Sequence, residues 1–310
     1  MTRVPELADL EAARDRIGGV VRRTPVVEVM DLPQVAGRVV LKLELMQHSG
    51  SFKMRGALNS MLSLSGTVSG VCAASGGNHA AAVAWSARRA GLTADLFVPV
   101  NATPTKIARI VDYGGQVHLV EGFVKGALEE CRAFSDRHGI PQLHPYDTVE
   151  TVSGAGTVGL EIAEQVPDAS LVVLGCGGGG LFAGTTIALA PLGIRVQPVE
   201  PEMCPALSEA LAAGGPVDVA VGGVAGDSLG APRIGDIGYA VAVEQGAVPV
   251  LVPESSILDA RRELWTRLRV LAEPGACAAF AAVMSGRVDV PAGQTAVVVV
   301  SGGNNETLPS

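Results

Sequence analysis

Residues 170–190 read SLVVLGCGGGGLFAGTTIALA and combine two apolar runs with four consecutive glycines. The first run, Leu171–Leu174, has the aliphatic residues of a strand that is buried on both faces. The glycines end that strand, and the residues from Leu181 to Leu192 predict a helix. A strand that leads through a glycine loop into a helix is typical of an α/β fold.

This region also has to be tested as a membrane segment, because residues 169–194 form 26 positions without a charge, which is long enough to cross a bilayer. The glycine run would break the helix that lipid requires. We therefore expect a soluble protein without a membrane segment. The N-terminal sequence MTRVPELADLEAARDRIGG lacks the apolar core of a signal peptide. The five scattered cysteines contain no CxxC pair, so we expect reduced thiols and a cytoplasmic location.

Short apolar strands alternate with longer helical patterns along the rest of the chain. The predicted strands are Val39–Leu43, Val71–Ala74, Asp95–Val98, Gln116–Val120, Leu171–Leu174, Arg195–Val199, Val248–Val252 and Ala296–Val300. The predicted helices are Asn78–Ala90, Thr105–Tyr113, Phe123–His138, Gly156–Gln165, Leu181–Leu192, Pro205–Ala213 and Ser256–Leu271. This alternation predicts an α/β fold with two open, twisted, mostly parallel sheets flanked by helices. Because no linker separates two halves, we expect one domain to be inserted in the other.

The composition excludes two classes of protein. Charged residues make up only 17% of the 310 residues and hydrophobic residues 48%, which is incompatible with a disordered chain. The net charge of −8, with no basic cluster interleaved with aromatic residues, argues against nucleic acid as a partner. With few charges to cover its surface, the chain is expected to have a large core and a subunit interface.

Lys53 is the first candidate for chemistry. It stands in Ser51-Phe52-Lys53-Met54-Arg55, where a loop is predicted to become a helix, and is one of only four lysines in the chain. Apolar surroundings push a lysine towards its neutral form, which a Schiff-base nucleophile needs. An ordinary lysine at the start of a helix would give the same local pattern.

A second motif follows the predicted strand Val71–Ala74 and opens a helix. Its residues are Ser75, Gly76, Gly77, Asn78 and His79. Glycines let the backbone approach a ligand, and free N–H groups at a helix N-terminus favour an anion such as a carboxylate. Ser and Asn also cap helices routinely, and by itself the motif is explained better as a cap.

The third motif is the loop of glycines before Leu181, which consists of Gly177, Gly178, Gly179 and Gly180. Amide groups of such a loop beside a helix N-terminus favour phosphate. No Lys-Ser or Lys-Thr follows the loop, so it is not a triphosphate P-loop. The spacing Gly175-x-Gly177-x-x-Gly180, with Glu200 at the end of the next strand, also fits a dinucleotide-binding fingerprint.

The fourth motif is Ser301-Gly302-Gly303-Asn304, directly after the predicted strand Ala296–Val300. A hydroxyl group at the carboxyl end of a parallel strand faces the ligand crevice of the sheet. Without the other motifs, an ordinary junction between strand and turn explains this segment better.

In this order and spacing, the four motifs resemble the serine/threonine dehydratase (ammonia-lyase) family of fold-type II pyridoxal-phosphate enzymes. The resemblance runs from about residue 5 to residue 304 and includes three further segments. They are Gly154-Ala155-Gly156-Thr157-Val158-Gly159-Leu160-Glu161, Val199-Glu200-Pro201 and Glu273-Pro274-Gly275-Ala276. Several ordered matches are far more specific than one glycine fingerprint. An NAD-dependent oxidoreductase or a nucleotide-binding sensor therefore stays as a remote alternative.

The resemblance implies a role for each motif around pyridoxal 5'-phosphate. Lys53 would be the catalytic residue, joined covalently to the cofactor and then acting as the base at the substrate Cα. The remaining cofactor contacts would be Phe52 near the ring, Asn78 at its phenolic oxygen, Ser301 at its pyridine nitrogen, and Gly177, Gly178, Gly179, Gly180 and Leu181 at its phosphate. The carboxylate of a small amino-acid substrate would bind Ser75, Gly76, Gly77, Asn78 and His79.

The implied activity is the elimination of water from L-threonine or L-serine, which gives a 2-oxo acid and ammonia, in amino-acid catabolism. A serine hydroxyl cannot keep the pyridine nitrogen protonated as a carboxylate would, which favours loss of the β-hydroxyl over transamination. The resemblance also implies a homodimer, with a smaller domain (49–146) inserted in a larger one (1–48 and 147–310).

Two departures from the family bear on the reaction. Serine racemases of this family have a serine two residues before the asparagine, where this chain has Gly76, so we favour a dehydratase over a racemase. Some members bind a divalent metal through the Glu of Val-Glu-Pro and an Asp six residues on. Here Glu200 is followed at that spacing by Ala206, so no metal is predicted. A racemase, or a lyase of another β-hydroxy amino acid such as 3-hydroxyaspartate or one derived from hydroxyectoine, remains the alternative.

Overall fold

Two separate sheets organise the protein, whose computed structural model describes residues 3–66, 68–122, 124–305 and 307–309. The described strands are β1 (Val26–Val29), β2 (Arg38–Leu43), β3 (Gly70–Ala74), β4 (Thr93–Pro99), β5 (Gln116–Val120), β6 (Leu171–Gly175), β7 (Arg195–Pro201), β8 (Val250–Val252) and β9 (Thr295–Val300). The larger sheet has the order β1–β2–β9–β6–β7–β8 and the smaller one the order β3–β4–β5. Only the β1–β2 pair is antiparallel among these strands.

Helices cover the sheets and connect the parallel strands. The described α-helices are α1 (Leu7–Ile17), α2 (Lys53–Leu62), α3 (Asn78–Ala90), α4 (Pro104–Asp112), α5 (Val124–His138), α6 (Val149–Gln165), α7 (Gly180–Leu189), α8 (Ala206–Ala213), α9 (Gly226–Leu229), α10 (Asp236–Glu244), α11 (Glu254–Leu268) and α12 (Pro274–Met284). The predicted α/β fold of mostly parallel sheets flanked by helices is therefore confirmed. The domain boundaries at residues 48/49 and 146/147 stay a prediction.

The larger sheet is buried on both faces, as its apolar strands predicted. On β9, Val298 and Val300 pack on the side of α12, whereas Val297 and Val299 pack on the opposite side, with Phe182 of α7. The segment that was tested as a membrane span is the inner strand β6, the glycine loop and α7. Within the described ranges, no helix has the length and apolar character needed to cross a membrane.

The predicted strands all form, with ends within two residues of the prediction. The predictions missed β1, which lies at the sheet edge and is the antiparallel strand. They also missed α1, α9, α10 and α12. The residues of α12, PGACAAFAAVM, have no polar face, and the helix is buried almost all round, so no helical periodicity is visible. Phe123, where one helix was predicted to begin, lies outside the described residues.

Two predicted helix ends were wrong for identifiable reasons. The helix expected to start at Gly156 starts at Val149, because Thr148 caps it by accepting a hydrogen bond from the Thr151 N–H. The helix expected to run to Leu271 ends at Leu268, since Arg269 adopts the left-handed conformation with φ of 56°. The glycines inside α6 do not end the helix but allow neighbouring helices to pack closely against it. A side-chain carbon at position 156 would lie 2.6 Å from Leu10.

Candidate active site

The carboxyl ends of β6 and β9 bring two of the predicted motifs together. These strands are neighbours and run parallel, with Leu171 opposite Ala296. The glycine loop follows β6 and Ser301 follows β9, so both lie at the same edge of the larger sheet. The helix α7, which follows β6, and the helix α12, which precedes β9, pack on opposite faces of the sheet. This is the position where open α/β sheets bind ligands.

Lys53 is held at this edge by the backbone that precedes it. Phe52 donates its N–H to the Ser301 carbonyl at 3.0 Å, and Ser51 forms a bridge with Gly302. The next residue, Lys53, begins α2. The end of β9 therefore fixes the point from which the Lys53 side chain starts.

The amine of Lys53 lies in a mostly apolar environment. Its Nζ donates to the Pro145 carbonyl at 2.7 Å and lies 5.2 Å from the Phe52 ring centroid and 5.7 Å from that of Tyr146. Burial lowers the pKa of the Lys53 amine to about 8. A significant fraction of this amine is consequently neutral near physiological pH. The neutral form is the one that a Schiff-base nucleophile needs.

The glycine loop forms a cradle that side chains would fill. A carbon added at Gly178 would collide with the Tyr146 ring, and one at Gly180 would lie 2.7 Å from the Tyr146 carbonyl oxygen. Gly179 has φ of 87°, a conformation that favours glycine. Within the described part of the chain, the N–H groups from Gly177 to Leu181 donate to no acceptor. Open amides at the N-terminus of α7 are a ready site for a phosphate.

The loop after β3 offers a second set of open amides. The Gly77 N–H donates to the Ser75 hydroxyl at 3.2 Å, while the N–H groups of Gly76, Asn78 and His79 find no acceptor among the described residues. They stand at the N-terminus of the 13-residue helix α3. The loop can therefore bind an anion such as a carboxylate.

The side chain of His79 does not take part in this loop. Its Nε2 lies 3.0 Å from the Leu143 carbonyl, and the residue as a whole is 3% exposed. Burial, followed by the nearby Lys53, lowers the pKa of His79 to about 3, so the ring is neutral. The backbone N–H of His79 is the group that lies with the open amides of this loop.

Asn78 is held from two sides. Its Nδ2 donates to Glu273 Oε1 at 2.5 Å, and its Oδ1 accepts from Asn304 Nδ2 at 2.7 Å. Glu273 is 4% exposed, and burial raises the pKa of its carboxyl group to about 7. Sequence reasoning quoted Glu273 and Asn304 within motifs but gave neither a role.

Ser301 is 7% exposed, and none of the hydrogen bonds among the described residues involves its hydroxyl. The hydroxyl of this buried residue at the end of β9 is thus available to a ligand.

The sequence analysis did not predict Tyr146 as a site residue. Its ring centroid lies 5.7 Å from the Lys53 Nζ, and a side-chain carbon on Gly178 would collide with the ring. The only signal was its position just before α6.

Glu200, a candidate ligand in two alternatives, has its carboxylate occupied by the chain itself. It accepts hydrogen bonds from the N–H groups of Leu207 and Ser208 and from the Ser208 hydroxyl, at 2.6, 2.9 and 2.6 Å. These contacts cap the start of α8. The described residues contain no group of three or more His, Cys, Asp or Glu placed to hold a metal, and the prediction of no metal stays a prediction.

Comparison with known proteins decides which cofactor this site serves. Residues 17–302 match the model of the family described as "Pyridoxal-phosphate dependent enzyme". The chain belongs to this family of pyridoxal-phosphate-dependent enzymes. The cofactor is therefore pyridoxal 5'-phosphate, as the resemblance implied, and the dinucleotide alternative is set aside.

Relatives of this pyridoxal-phosphate-dependent enzyme carry out more than one reaction. The L-threonine ammonia-lyase of Thermotoga maritima is 33% identical over 96% of this chain and 75% of that protein. The phenylserine dehydratase of Ralstonia pickettii is 34% identical over 98% of this chain and 95% of that protein. The structure of maize serine racemase superimposes with a TM-score of 0.93 at 30% identity, covering 98% of this chain and 95% of the maize chain.

The residues of the site fit the cofactor that the family uses. The open amides and missing side chains of the glycine loop provide a cradle for its phosphate. The Lys53 amine, whose pKa is lowered by burial, is available to react with the aldehyde of the cofactor. The Ser301 hydroxyl has no competing partner among the described residues. The individual cofactor contacts remain predictions for this chain.

Proposed function

We propose that this enzyme eliminates water from L-threonine or L-serine and so forms a 2-oxo acid and ammonia. The observation that carries the proposal is the Lys53 amine, whose pKa is lowered to about 8 by burial and which donates to the Pro145 carbonyl beside the Phe52 and Tyr146 rings. The position of a second base, in the racemases that the chain resembles, is occupied here by Gly76. One basic group supports removal of a proton better than its return to the opposite face.

Each of the chain's own residues has a task in this reaction. Pyridoxal phosphate, when bound, supplies a sink for the electrons that remain at Cα after its proton is removed. The amides of the Ser75–Asn78 loop bind the substrate carboxylate and so orient the Cα–H bond towards Lys53. Lys53 takes that proton. The β-hydroxyl then leaves as water by taking up the proton that Lys53 removed from Cα, which returns Lys53 to its neutral form. Hydrolysis of the released enamine gives the 2-oxo acid and ammonia.

A test of Lys53 separates this role from a structural one. We expect Lys53→Ala to lower 2-oxo acid release by about a thousandfold or more, the range for loss of a general base, with an unchanged circular dichroism spectrum. Lys125→Ala, which removes a lysine exposed on α5, is the matched control and should retain full turnover. Turnover by Lys53→Ala close to that of the control would refute the assigned role.

A substrate panel tests the reaction itself. L-Threonine, L-serine, phenylserine and 3-hydroxyaspartate would be compared by 2-oxo acid release, and the residual amino acid would be analysed by chiral chromatography. The similarity to maize serine racemase favours racemisation as the second candidate function. D-Serine formation that exceeds pyruvate release would replace the dehydratase proposal with a racemase.

We also propose a cytoplasmic homodimer. The described cysteines are all free and buried, which supports a reducing compartment. Leu192, Val243 and Val248 are 60%, 53% and 74% exposed, and a second subunit could cover such apolar side chains. Light scattering after gel filtration tests the dimer, and a monomeric mass would overturn it.

A further inference from the structure

Hydrogen bonds from Asn304 and to Glu273 determine which way the Asn78 amide group points. An asparagine amide has an acceptor oxygen and a donor nitrogen of nearly the same shape, so only its partners decide the orientation. On one side, the Asn304 Nδ2 donates to Asn78 Oδ1, so the oxygen must lie there. On the other side, the acceptor Glu273 Oε1 requires the Asn78 nitrogen.

Asn304 is itself fixed in one orientation. Its Nδ2 also donates to the Ser49 carbonyl at 2.8 Å, while its Oδ1 accepts from the Arg109 guanidinium. A guanidinium only donates and a carbonyl only accepts, so neither partner tolerates a flipped Asn304. Gly50, with φ of 79°, makes room for this amide, because a side-chain carbon there would collide with Asn304 Oδ1.

The orientation has a consequence for the cofactor ring. The Asn78 nitrogen carries two hydrogens, of which Glu273 takes one, so the second remains available to a ligand. With the opposite orientation, Asn78 would present a lone pair to the phenolic oxygen of the ring instead of a donor. We infer that Asn304 and Glu273 are positioning residues that keep the Asn78 amide turned to donate to the cofactor. This inference rests on the predicted contact between Asn78 and the ring, but not on the choice of substrate or reaction.

The decisive variant is Asn304→Asp. The aspartate keeps the size of the side chain and its acceptor for Arg109, but it cannot donate to Asn78 Oδ1. Asn305→Asp is the matched control, since it introduces the same charge one residue further on, and the Asn305 Nδ2 has no hydrogen-bond partner to lose. We expect Asn304→Asp to raise the dissociation constant for pyridoxal phosphate about three- to tenfold over that of the control, as for one lost hydrogen bond. The constant is measured by fluorescence titration of the apoprotein.

A second pair of variants keeps the inference testable if Asn304→Asp fails to fold. Glu273→Gln retains an acceptor oxygen for the Asn78 nitrogen, whereas Glu273→Met does not. The glutamine variant should bind the cofactor within about twofold of the wild type, and the methionine variant about three- to tenfold more weakly. A contribution to folding alone would lower the melting temperature of the apoprotein without this ranking of affinities.

Equal affinities of Asn304→Asp and Asn305→Asp, or of the two Glu273 variants, would overturn the inference. Failure of the proposed function is a separate result. It would appear as absent 2-oxo acid release from wild-type enzyme, while the ranking of cofactor affinities would still decide the role of Asn304 and Glu273.

Discussion

Glu273 is a buried carboxyl group whose hydrogen-bonded partner, Asn78, is neutral. Burial raises its pKa in the folded protein to about 7, from an ordinary value of 4.5. Because the folded-state pKa lies above the unfolded one, the protonated form stabilises the fold below pH 4.5, and this contribution disappears as the pH rises through 7. The shift corresponds to about 3 kcal/mol.

Glu273→Gln should therefore change the pH dependence of stability. We expect the variant to gain stability relative to the wild type between pH 5 and pH 8, by up to about 3 kcal/mol, because it has no proton to lose. Urea unfolding of the cofactor-free proteins at both pH values measures this difference. Glu244→Gln, an exposed change on α10, is the control. A difference of stability that does not grow with pH would contradict the argument.

We proposed that Gly76 favours elimination over racemisation. A side-chain carbon at position 76 would lie 3.0 Å from the Ala102 Cβ, so a serine needs space on that side. We expect Gly76→Ser with Ala102→Gly to raise the ratio of D-isomer to 2-oxo acid. The measurement is chiral chromatography of residual substrate, and Gly76→Ala with Ala102→Gly is the control without a hydroxyl. Absence of D-isomer from the serine variant would remove the argument from this position.

Local patterns predicted part of the site and missed the rest for a physical reason. Lys53, the glycine loop and Ser301 each stand at an end of a strand or a start of a helix, which nearby residues reveal. The contacts of Asn78 join residues 195 and 226 positions apart along the chain. Such pairs form only when the two sheets pack together, and a local sequence pattern carries no information about that packing. The same limit applies to Tyr146, whose ring position depends on packing against the glycine loop.

At the scale of elements, α2 is anchored through a buried group of charges. Arg55, which is fully buried, donates to Glu44 and to Glu161, with distances of 2.8 to 2.9 Å to their carboxylate oxygens. Lys42 also donates to Glu161, at 2.6 Å. Because Arg55 lies two residues after Lys53, these contacts fix the helix turn that carries the proposed base.

Arg55→Met should therefore destabilise the protein strongly. Its loss leaves the buried Glu44 carboxylate and the half-buried Glu161 carboxylate with fewer positive partners, and breaking a buried ion pair costs about 3–5 kcal/mol. Arg38→Met is the control, because Arg38 is 41% exposed and pairs with Glu28 and Asp168 at the surface. That change should cost no more than about 1 kcal/mol. Urea unfolding compares the two, and equal losses would show that the buried charges do not anchor α2.

Short, continuous apolar runs predicted strands from the sequence, whereas a long apolar helix and a glycine-rich helix start were missed. The apolar strands β6 and β9 stand out because both of their faces are buried. In contrast, α12 is apolar all round, and glycines weaken the helical pattern at the start of α6. Gly154 and Gly156 reduce helix propensity, yet they are required where α6 packs against α2, α1 and α7. Tertiary packing therefore overrode local propensity in these helices.

At the scale of the whole molecule, α4 joins the smaller sheet to the larger one by two polar contacts. Lys106 of α4 forms an ion pair with Asp227 of α9, and Arg109 donates to Asn304 beyond β9. The Lys106 amine would lie 4.0 Å, and the Asp227 carbonyl 3.7 Å, from a side-chain carbon on Gly77. Both therefore lie beside the loop proposed for the substrate carboxylate, and opening of this contact would expose that loop.

Asp227→Asn should loosen α4 without disturbing the larger sheet. The Asp227 side chain is 67% exposed, so loss of its ion pair costs at most about 1 kcal/mol. That corresponds to about a two- to fivefold faster amide hydrogen exchange in α4, with unchanged exchange in β6 and β9. High salt should produce the same change in wild-type protein by screening the pair. Asp218→Asn removes another exposed ion pair, with Arg233, that does not involve α4. If both variants gave the same exchange in α4, its contact with Asp227 would not hold the two sheets together, and substrate access would have to depend on another part of the molecule.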